Sequence, residues 1–84
     1  MDAQKLVKMA NAIAGFFESD PDPVARVEGI ASHIRRFWEP RMRIALYKHH
    51  DETAGEGLKP TVIQVLKERR GQLLPATTSE SSRP

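Results

Sequence analysis

The three histidines are the side chains of this sequence best suited to acid–base or metal chemistry. His49 and His50 are adjacent, and neighbouring residues of a helix point about 100° apart, so the two imidazoles cannot readily share one ion. His33 has no nucleophilic residue at a spacing that would predict a catalytic pair. The carboxylates are scattered along the chain, and the serines concentrate near its end. The sequence therefore predicts no catalytic residue and no metal site.

The motifs of cofactor-binding proteins are also missing from the sequence. It contains no cysteine, which excludes disulfides, thiolate catalysis and cysteine metal sites. Gly55 and Gly57 lie two residues apart, but no predicted strand precedes them, and the further glycine of a phosphate-binding loop is absent. We therefore predict that this chain binds no cofactor and is not an enzyme.

Basic and aromatic residues concentrate between residues 33 and 48. Arginine, tryptophan and tyrosine are enriched at protein interfaces, while arginines beside aromatic residues can also bind nucleic acid. A solvated surface with partly buried arginine stems is a third interpretation. The formal net charge of +2 is too small to require a nucleic-acid partner. The basic cluster consists of Arg35, Arg36, Arg41, Arg43 and Lys48.

Four apolar stripes with helical spacing predict the elements that must position these residues. Asp2 and Asp22 are predicted N-caps, because a carboxylate can accept from the free amides of a first helical turn. Pro23 suits the first helical position after Asp22. Glu39 precedes Pro40 and is disfavoured in helical geometry, so the second helix should end or kink there. The predicted helices cover residues 2–18, 23–38, 40–50 and 60–70.

The same stripes predict which side chains form the core. We expect Trp38 to be largely buried where the second and third helices meet, because Pro40 turns the chain just beyond it. The predicted core residues are Ile13, Phe17, Ile30, Ile34, Trp38, Met42 and Leu46. The other large apolar residues of the predicted inward stripes are Leu6, Met9, Phe16, Val24, Val27, Phe37, Val62, Ile63 and Leu66.

One candidate partner-binding surface lies on the third helix. Two apolar residues, at positions i and i+3, are predicted to point away from its inner face, and arginines surround them. An apolar centre with a cationic rim is typical of surfaces where one protein binds another. The residues of this predicted surface are Arg36, Arg41, Arg43, Ile44 and Tyr47.

A second candidate surface is the outer face of the first helix. Asn11 and Gly15 lie opposite the apolar stripe of that helix. A glycine there costs about 1 kcal/mol relative to alanine, and it would let another backbone come close.

The chain is one domain at most, since it has 84 residues. We predict an all-α fold, a small single-domain bundle of three to four helices. Residues 1–72 form the predicted helical domain, with Gly71 as terminator, although Leu73 could extend the last stripe by one turn. Residues 73–84 are Ser/Thr/Pro-rich and are predicted to form a flexible, disordered tail. With no apolar run near ~20 residues and no signal-peptide pattern at the start, we expect a cytoplasmic protein without membrane contact.

Three stretches of the sequence carry a resemblance to a known family. They are residues 6–17 (LVKMANAIAGFF), residues 29–43 (GIASHIRRFWEPRMR) and residues 57–60 (GLKP) with the helix that follows. The string FWEPRMR at residues 37–43 is the most specific part. On these residues, which span 6–70, the chain resembles the delta subunit of bacterial NAD-dependent, molybdenum-containing formate dehydrogenase.

The resemblance implies a non-catalytic accessory subunit of a cytoplasmic enzyme. In that enzyme the large catalytic subunit carries a molybdenum cofactor and iron–sulfur clusters, and other subunits carry flavin and the NAD site. The implied partner is the large catalytic subunit or its complex, and the implied role is assembly, cofactor loading or stability of the enzyme. The alternative function is a small nucleic-acid-binding regulator that uses the arginine cluster at residues 35–48.

Overall fold

The computed structural model describes residues 2–74 of the chain. Across this range the chain forms helices and no strand, so the predicted all-α fold is confirmed. The fifth helix is a single short turn that extends the four predicted ones. The helices are α1 (Ala3–Phe17), α2 (Pro23–Phe37), α3 (Pro40–Thr53), α4 (Pro60–Glu68) and α5 (Arg70–Leu73).

The helix starts follow from side chains near the predicted positions. The Asp2 carboxylate accepts from the Gln4 amide, and the Asp22 carboxylate accepts from the Val24 amide, each at 3.0 Å. Each carboxylate satisfies an amide that has no acceptor within its own helix. Glu39 is extended, with φ −66° and ψ 152°, as expected for a residue before proline. The chain therefore turns between α2 and α3.

The end of α3 differs from the prediction. Residues 51–53 were expected in a loop after a helix ending near residue 50, yet α3 continues to Thr53. Ala54 then adopts a left-handed conformation with φ 59°, followed by Gly55 with φ 79°. A left-handed residue is a common way to end a helix, usually provided by glycine. Here alanine takes that position one residue before the glycine, which the sequence pattern did not indicate.

The core lies among α1, α2 and α4, with α3 packed against α1 and α5 packed against α2 and α4. Trp38 is 5% exposed, at the corner between α2 and α3. Of the predicted core residues, the structure buries Ile30, Ile34, Trp38 and Leu46. It places the other three, Ile13, Phe17 and Met42, at the edge of the core, where they are partly buried. The full set of buried residues is Leu6, Val7, Ala10, Ala14, Val27, Ile30, Ala31, Ile34, Trp38, Leu46, Tyr47, Leu58, Val62, Val65, Leu66 and Leu73.

The C-terminal boundary of the helical part also differs from the prediction. Gly71 lies within α5 rather than ending a helix, and Leu73 is fully buried against the core. The predicted domain limit at residue 72 is therefore too early, because it would leave a core residue in the tail. The rest of the predicted tail, residues 75–84, lies outside the described residues.

Candidate docking surface

Tyr47 was predicted to point outward, and this prediction is wrong. The side chain is 2% exposed, and its hydroxyl donates to the carbonyl oxygen of Leu66 at 2.7 Å. The Arg70 guanidinium lies over the ring, 4.9 Å from its centre. Tyr47 thus joins α3 to α4 and α5, and it cannot be half of an exposed apolar pair with Ile44.

The ionic group beside Tyr47 is also structural. Arg70 donates to both carboxylate oxygens of Asp51, at 3.2 and 2.6 Å. These hydrogen bonds hold the pKa of Asp51 below its usual value and raise the pKa of Arg70. Burial raises the pKa of Tyr47 to about 12. The shifts arise from contacts that connect helices, so they do not point to acid–base chemistry at this place.

Asn11 is a second residue whose predicted role is corrected. Its amide nitrogen donates to the carbonyl oxygen of Gly57, and its amide oxygen accepts from the Lys59 backbone nitrogen, both at 2.9 Å. Both ends of the carboxamide are therefore used within the chain, and Asn11 offers little to a partner. Gly15 remains exposed, with no atom within 4 Å of the place where a Cβ would lie.

The predicted arginines divide into two groups. Arg36 and Arg41 are exposed, and neither has an ion pair among residues 2–74. Arg43 is half-buried, and its Nε finds no hydrogen-bond partner in the described part of the chain. Ile44 is 39% exposed. The structure keeps Arg36 and Arg41 available at the surface, but without Tyr47 the predicted apolar centre between them is reduced to Ile44.

A different surface, between α1 and α2, presents more apolar area. Phe16 is 76% exposed and Phe37 is 70% exposed, although both were predicted to face the core. The Phe16 and Phe17 rings are 5.1 Å apart, centre to centre. The Phe17 ring lies 6.5 Å from His33, and His33 lies 4.7 Å from Phe37. Four rings thus form a continuous row across the two helices.

An open cavity of about 340 Å³ lies along this row. We call it the α1–α2 groove, and define it by the residues that line it, which are Ala12, Ile13, Phe16, Phe17 and His33. No carboxylate lines the groove. Two other residues from the predicted stripes, Met9 and Val24, are also exposed, at 38% and 65%.

The sequence contains a signal for this surface in two adjacent aromatic pairs. Phe16 and Phe17 are neighbours on α1, so their side chains point about 100° apart and cannot both enter the core fully. At the end of α2, Phe37 is the last helical residue, whereas Trp38 is extended, with ψ 135°. That backbone turns Trp38 into the core and leaves Phe37 outside. In each pair, one aromatic residue had to face outward.

A metal cluster and a membrane-spanning helix each place a requirement on the described residues. Residues 2–74 contain no group of three or more histidine, aspartate or glutamate side chains that could hold a metal ion. The His49 Nε2 donates to the carbonyl oxygen of Glu56 at 2.7 Å. Within the same range, no helix is long and apolar enough to cross a membrane.

The described residues define a small all-helical protein that exposes an aromatic groove between two of its helices. The family model described as NADH-dependent formate dehydrogenase delta subunit FdsD matches residues 5–66. The chain belongs to this family, so the resemblance inferred from its sequence is confirmed. Comparison with curated proteins and with solved structures gives no match.

Proposed function

We propose that this chain is a non-catalytic accessory subunit of a cytoplasmic NAD-dependent formate dehydrogenase, and that it binds the large catalytic subunit through the α1–α2 groove. On this proposal the molybdenum cofactor, the iron–sulfur clusters and the flavin belong to the partner enzyme. The contact would serve assembly, cofactor loading or stability of that enzyme. Membership of the delta-subunit family supports the choice of partner.

The observation that carries the binding role is the exposure of Phe16 and Phe37, at 76% and 70%. Fully burying a phenylalanine side chain is worth about 1.5–3 kcal/mol. Phe16 lines the groove, and Phe37 ends the row of rings along which the groove lies, so one partner could cover both. Large exposed apolar patches mark interaction sites, and aromatic anchors commonly carry much of the binding energy.

A non-catalytic role is supported by what the charged groups do. The carboxylates and the tyrosine whose pKa is shifted are held in contacts that join one helix to another. Glu18, for example, accepts from Lys59 at 3.1 Å and from Thr61 at 3.0 Å, and the Lys59 hydrogen bond lowers its pKa. These groups stabilise the fold. Among the residues that line the groove, only His33 carries a group that could act as an acid or a base.

The test uses two variants of the groove and one matched control. Phe16→Ser and Phe37→Ser should each weaken binding to the purified large subunit by about 30-fold, equivalent to the ~2 kcal/mol of a hot-spot residue. Val24→Ser is the control, because Val24 is 65% exposed but belongs neither to the lining of the groove nor to the row of four rings along which the groove lies. Helicity and melting temperature should stay near those of the unaltered chain in all three. Unchanged binding in both groove variants would contradict binding through the groove, whereas no binding by the unaltered chain would contradict the accessory role.

A second measurement separates a permanent subunit from an assembly factor. A permanent subunit stays with the active enzyme in stoichiometric amount during size-exclusion chromatography. An assembly factor is found mainly with immature enzyme, and removing it lowers the molybdenum content of the enzyme that is produced. If the enzyme forms with full cofactor content and full stability in the absence of this chain, the accessory role is wrong.

A further inference from the structure

The shape of the α1–α2 groove restricts what kind of segment can occupy it. Among residues 2–74 there is no strand, so no sheet edge is available for an extended peptide to join. The floor of the groove is made of side chains, whose apolar atoms cannot satisfy the backbone amides of an extended segment. A helix satisfies its own backbone hydrogen bonds and needs only side-chain contact. The groove therefore favours a helical partner segment.

The dimensions of the groove suit a short helical contact. Its lining on α1 runs from Ala12 to Phe17, which is about one and a half helical turns. Ala12 is small, so a partner backbone can come close beside it, while Phe16 stands up at the end of the groove. Two apolar side chains one turn apart, at i and i+3 or i+4, would fill this length.

The charges around the groove indicate the polar residues of that segment. No carboxylate lines the groove, and the last turn of α2, beside Phe37, carries Arg35 and Arg36. Both arginines are exposed, and neither forms an ion pair within the described range. Arg41 is exposed just beyond the turn. A partner segment with carboxylates next to its apolar anchors would complement these charges.

We propose that the α1–α2 groove receives an amphipathic helix of the formate dehydrogenase whose apolar anchors are flanked by carboxylates. This inference rests on the proposed function, since it names the element of the enzyme that the groove binds. Apolar contact would supply most of the affinity, and the arginines would orient the helix and speed its approach.

Photo-crosslinking tests the identity of the occupant. The full chain carries benzoylphenylalanine at position 37 and is illuminated with the purified formate dehydrogenase. The expected crosslink lies in an enzyme helix that has apolar residues one turn apart and adjacent carboxylates. The matched control carries the same group at position 67, on α4, where Lys67 is exposed, and it should not label that helix. A crosslink to a loop, a strand, a basic segment or a second copy of this chain would overturn the proposal.

Charge reversal tests the electrostatic part independently of the crosslink. Arg36→Glu should slow association with the enzyme by about tenfold at low ionic strength. The difference should shrink as salt rises from about 0.01 M to 1 M, since the screening length falls from about 30 Å to about 3 Å. Lys67→Glu makes the same charge change elsewhere and should bind like the unaltered chain. An Arg36→Glu variant that associates as fast as Lys67→Glu would show that the partner segment is not acidic.

The outcomes also separate the two proposals. If the chain does not bind the enzyme at all, the proposed function fails. If the chain binds the enzyme but position 37 gives no crosslink and both serine variants of the groove bind normally, the accessory role stands and the groove inference fails.

Discussion

At the residue scale, Tyr47 is a core residue whose hydroxyl has a specific partner. Burial raises its pKa to about 12, against an ordinary value of 10. Because the unfolded chain ionises first, the stability that Tyr47 contributes is complete below pH 10 and is lost as the pH rises through 12. The residue is the only tyrosine in the chain, so its ionisation can be followed directly by ultraviolet absorbance.

We therefore expect the tyrosine of the folded protein to titrate near pH 12, and the free energy of unfolding to fall between pH 10 and 12. Tyr47→Phe removes the hydrogen bond to Leu66 and should cost about 1–2 kcal/mol at neutral pH. In the same variant, the free energy of unfolding should fall less between pH 10 and 12, because the ionisation of Tyr47 no longer contributes. Ionisation near pH 10 in the folded protein would contradict the buried position.

Gly15 in α1 and Gly29 in α2 should respond differently to the same substitution. A Cβ at Gly15 meets nothing within 4 Å, whereas a Cβ at Gly29 would lie 2.5 Å from two ring atoms of Phe17. Gly15→Ala should stabilise the chain by up to ~1 kcal/mol, as expected for alanine in a helix. Gly29→Ala should give less than this gain or destabilise the chain, because the Phe17 ring must move.

Urea unfolding of these two variants measures the difference, and binding gives a second result. Gly29→Ala should also weaken binding to the enzyme, since Phe17 lines the groove. Gly15→Ala should bind normally if the groove is the interface. If Gly15→Ala is the variant that weakens binding, the interface lies on the outer face of α1 instead. Equal stabilisation by both substitutions would mean that the Phe17 ring moves at no cost.

At the scale of the elements, one side chain of α1 fixes the start of α4. Lys59, the residue before α4, has no side-chain cap of its own. Its backbone amide instead donates to Asn11 at 2.9 Å, and Asn11 donates to Gly57 at the same distance. Gly57 has φ 85°, a conformation that favours glycine. The long-range contact thus anchors the residue that precedes α4.

Asn11→Ala should consequently destabilise the protein by about 1–3 kcal/mol, the usual cost of leaving such backbone groups without a partner. Amide hydrogen exchange should speed up at Lys59 more than at residues in the middle of α1. Gln64→Ala is a suitable control, because it removes an exposed side chain whose hydrogen bond reaches only Glu68. If Asn11→Ala and Gln64→Ala have equal effects, the contact across the loop does not stabilise α4.

The elements were largely predictable from local signals, whereas their contacts were not. Asp22 and Pro40 mark helix starts through local chemistry, and the structure agrees with both. The role of Asn11 depends on Gly57 and Lys59, which lie 46 and 48 positions further along the chain. No local sequence pattern relates residues so far apart. Tyr47 and Phe16 were assigned to the wrong side of their helices. Each has an apolar neighbour that points about 100° away, so the apolar stripe can be drawn through either residue of the pair.

At the scale of the whole molecule, the exposed Arg35 and Arg36 share the last turn of α2 with Phe37, while the ion pairs serve the fold. The described ion pairs are Lys59–Glu18, Arg69–Glu28 and Arg70–Asp51, and each joins two different segments of the chain. The sequence predicted a basic cluster, of which Arg35, Arg36, Arg41 and Lys48 are exposed and Arg43 is half-buried. It gave no means of distinguishing Arg36, which is free of such pairs in the described range, from Arg70, which is engaged in one.

The short helix α5 closes the bundle, and its last residue should set the minimum length of a stable chain. Leu73 is fully buried, and α5 contacts both α2 and α4. A chain that ends at residue 74 should melt close to the full chain. A chain that ends at residue 72 loses Leu73 and should be less stable by about 2–5 kcal/mol, as for truncating a core leucine.

That loss is a large part of the ~5–15 kcal/mol by which small proteins are stable. Leu73→Ala in the full chain is the matched control, because it removes the same side chain and keeps the backbone of α5. Its melting temperature should lie close to that of the chain ending at residue 72. Equal melting of the chains that end at 72 and 74 would contradict a closing role for Leu73. A chain ending at 74 that melts well below the full chain would show that residues 75–84 also contribute to stability.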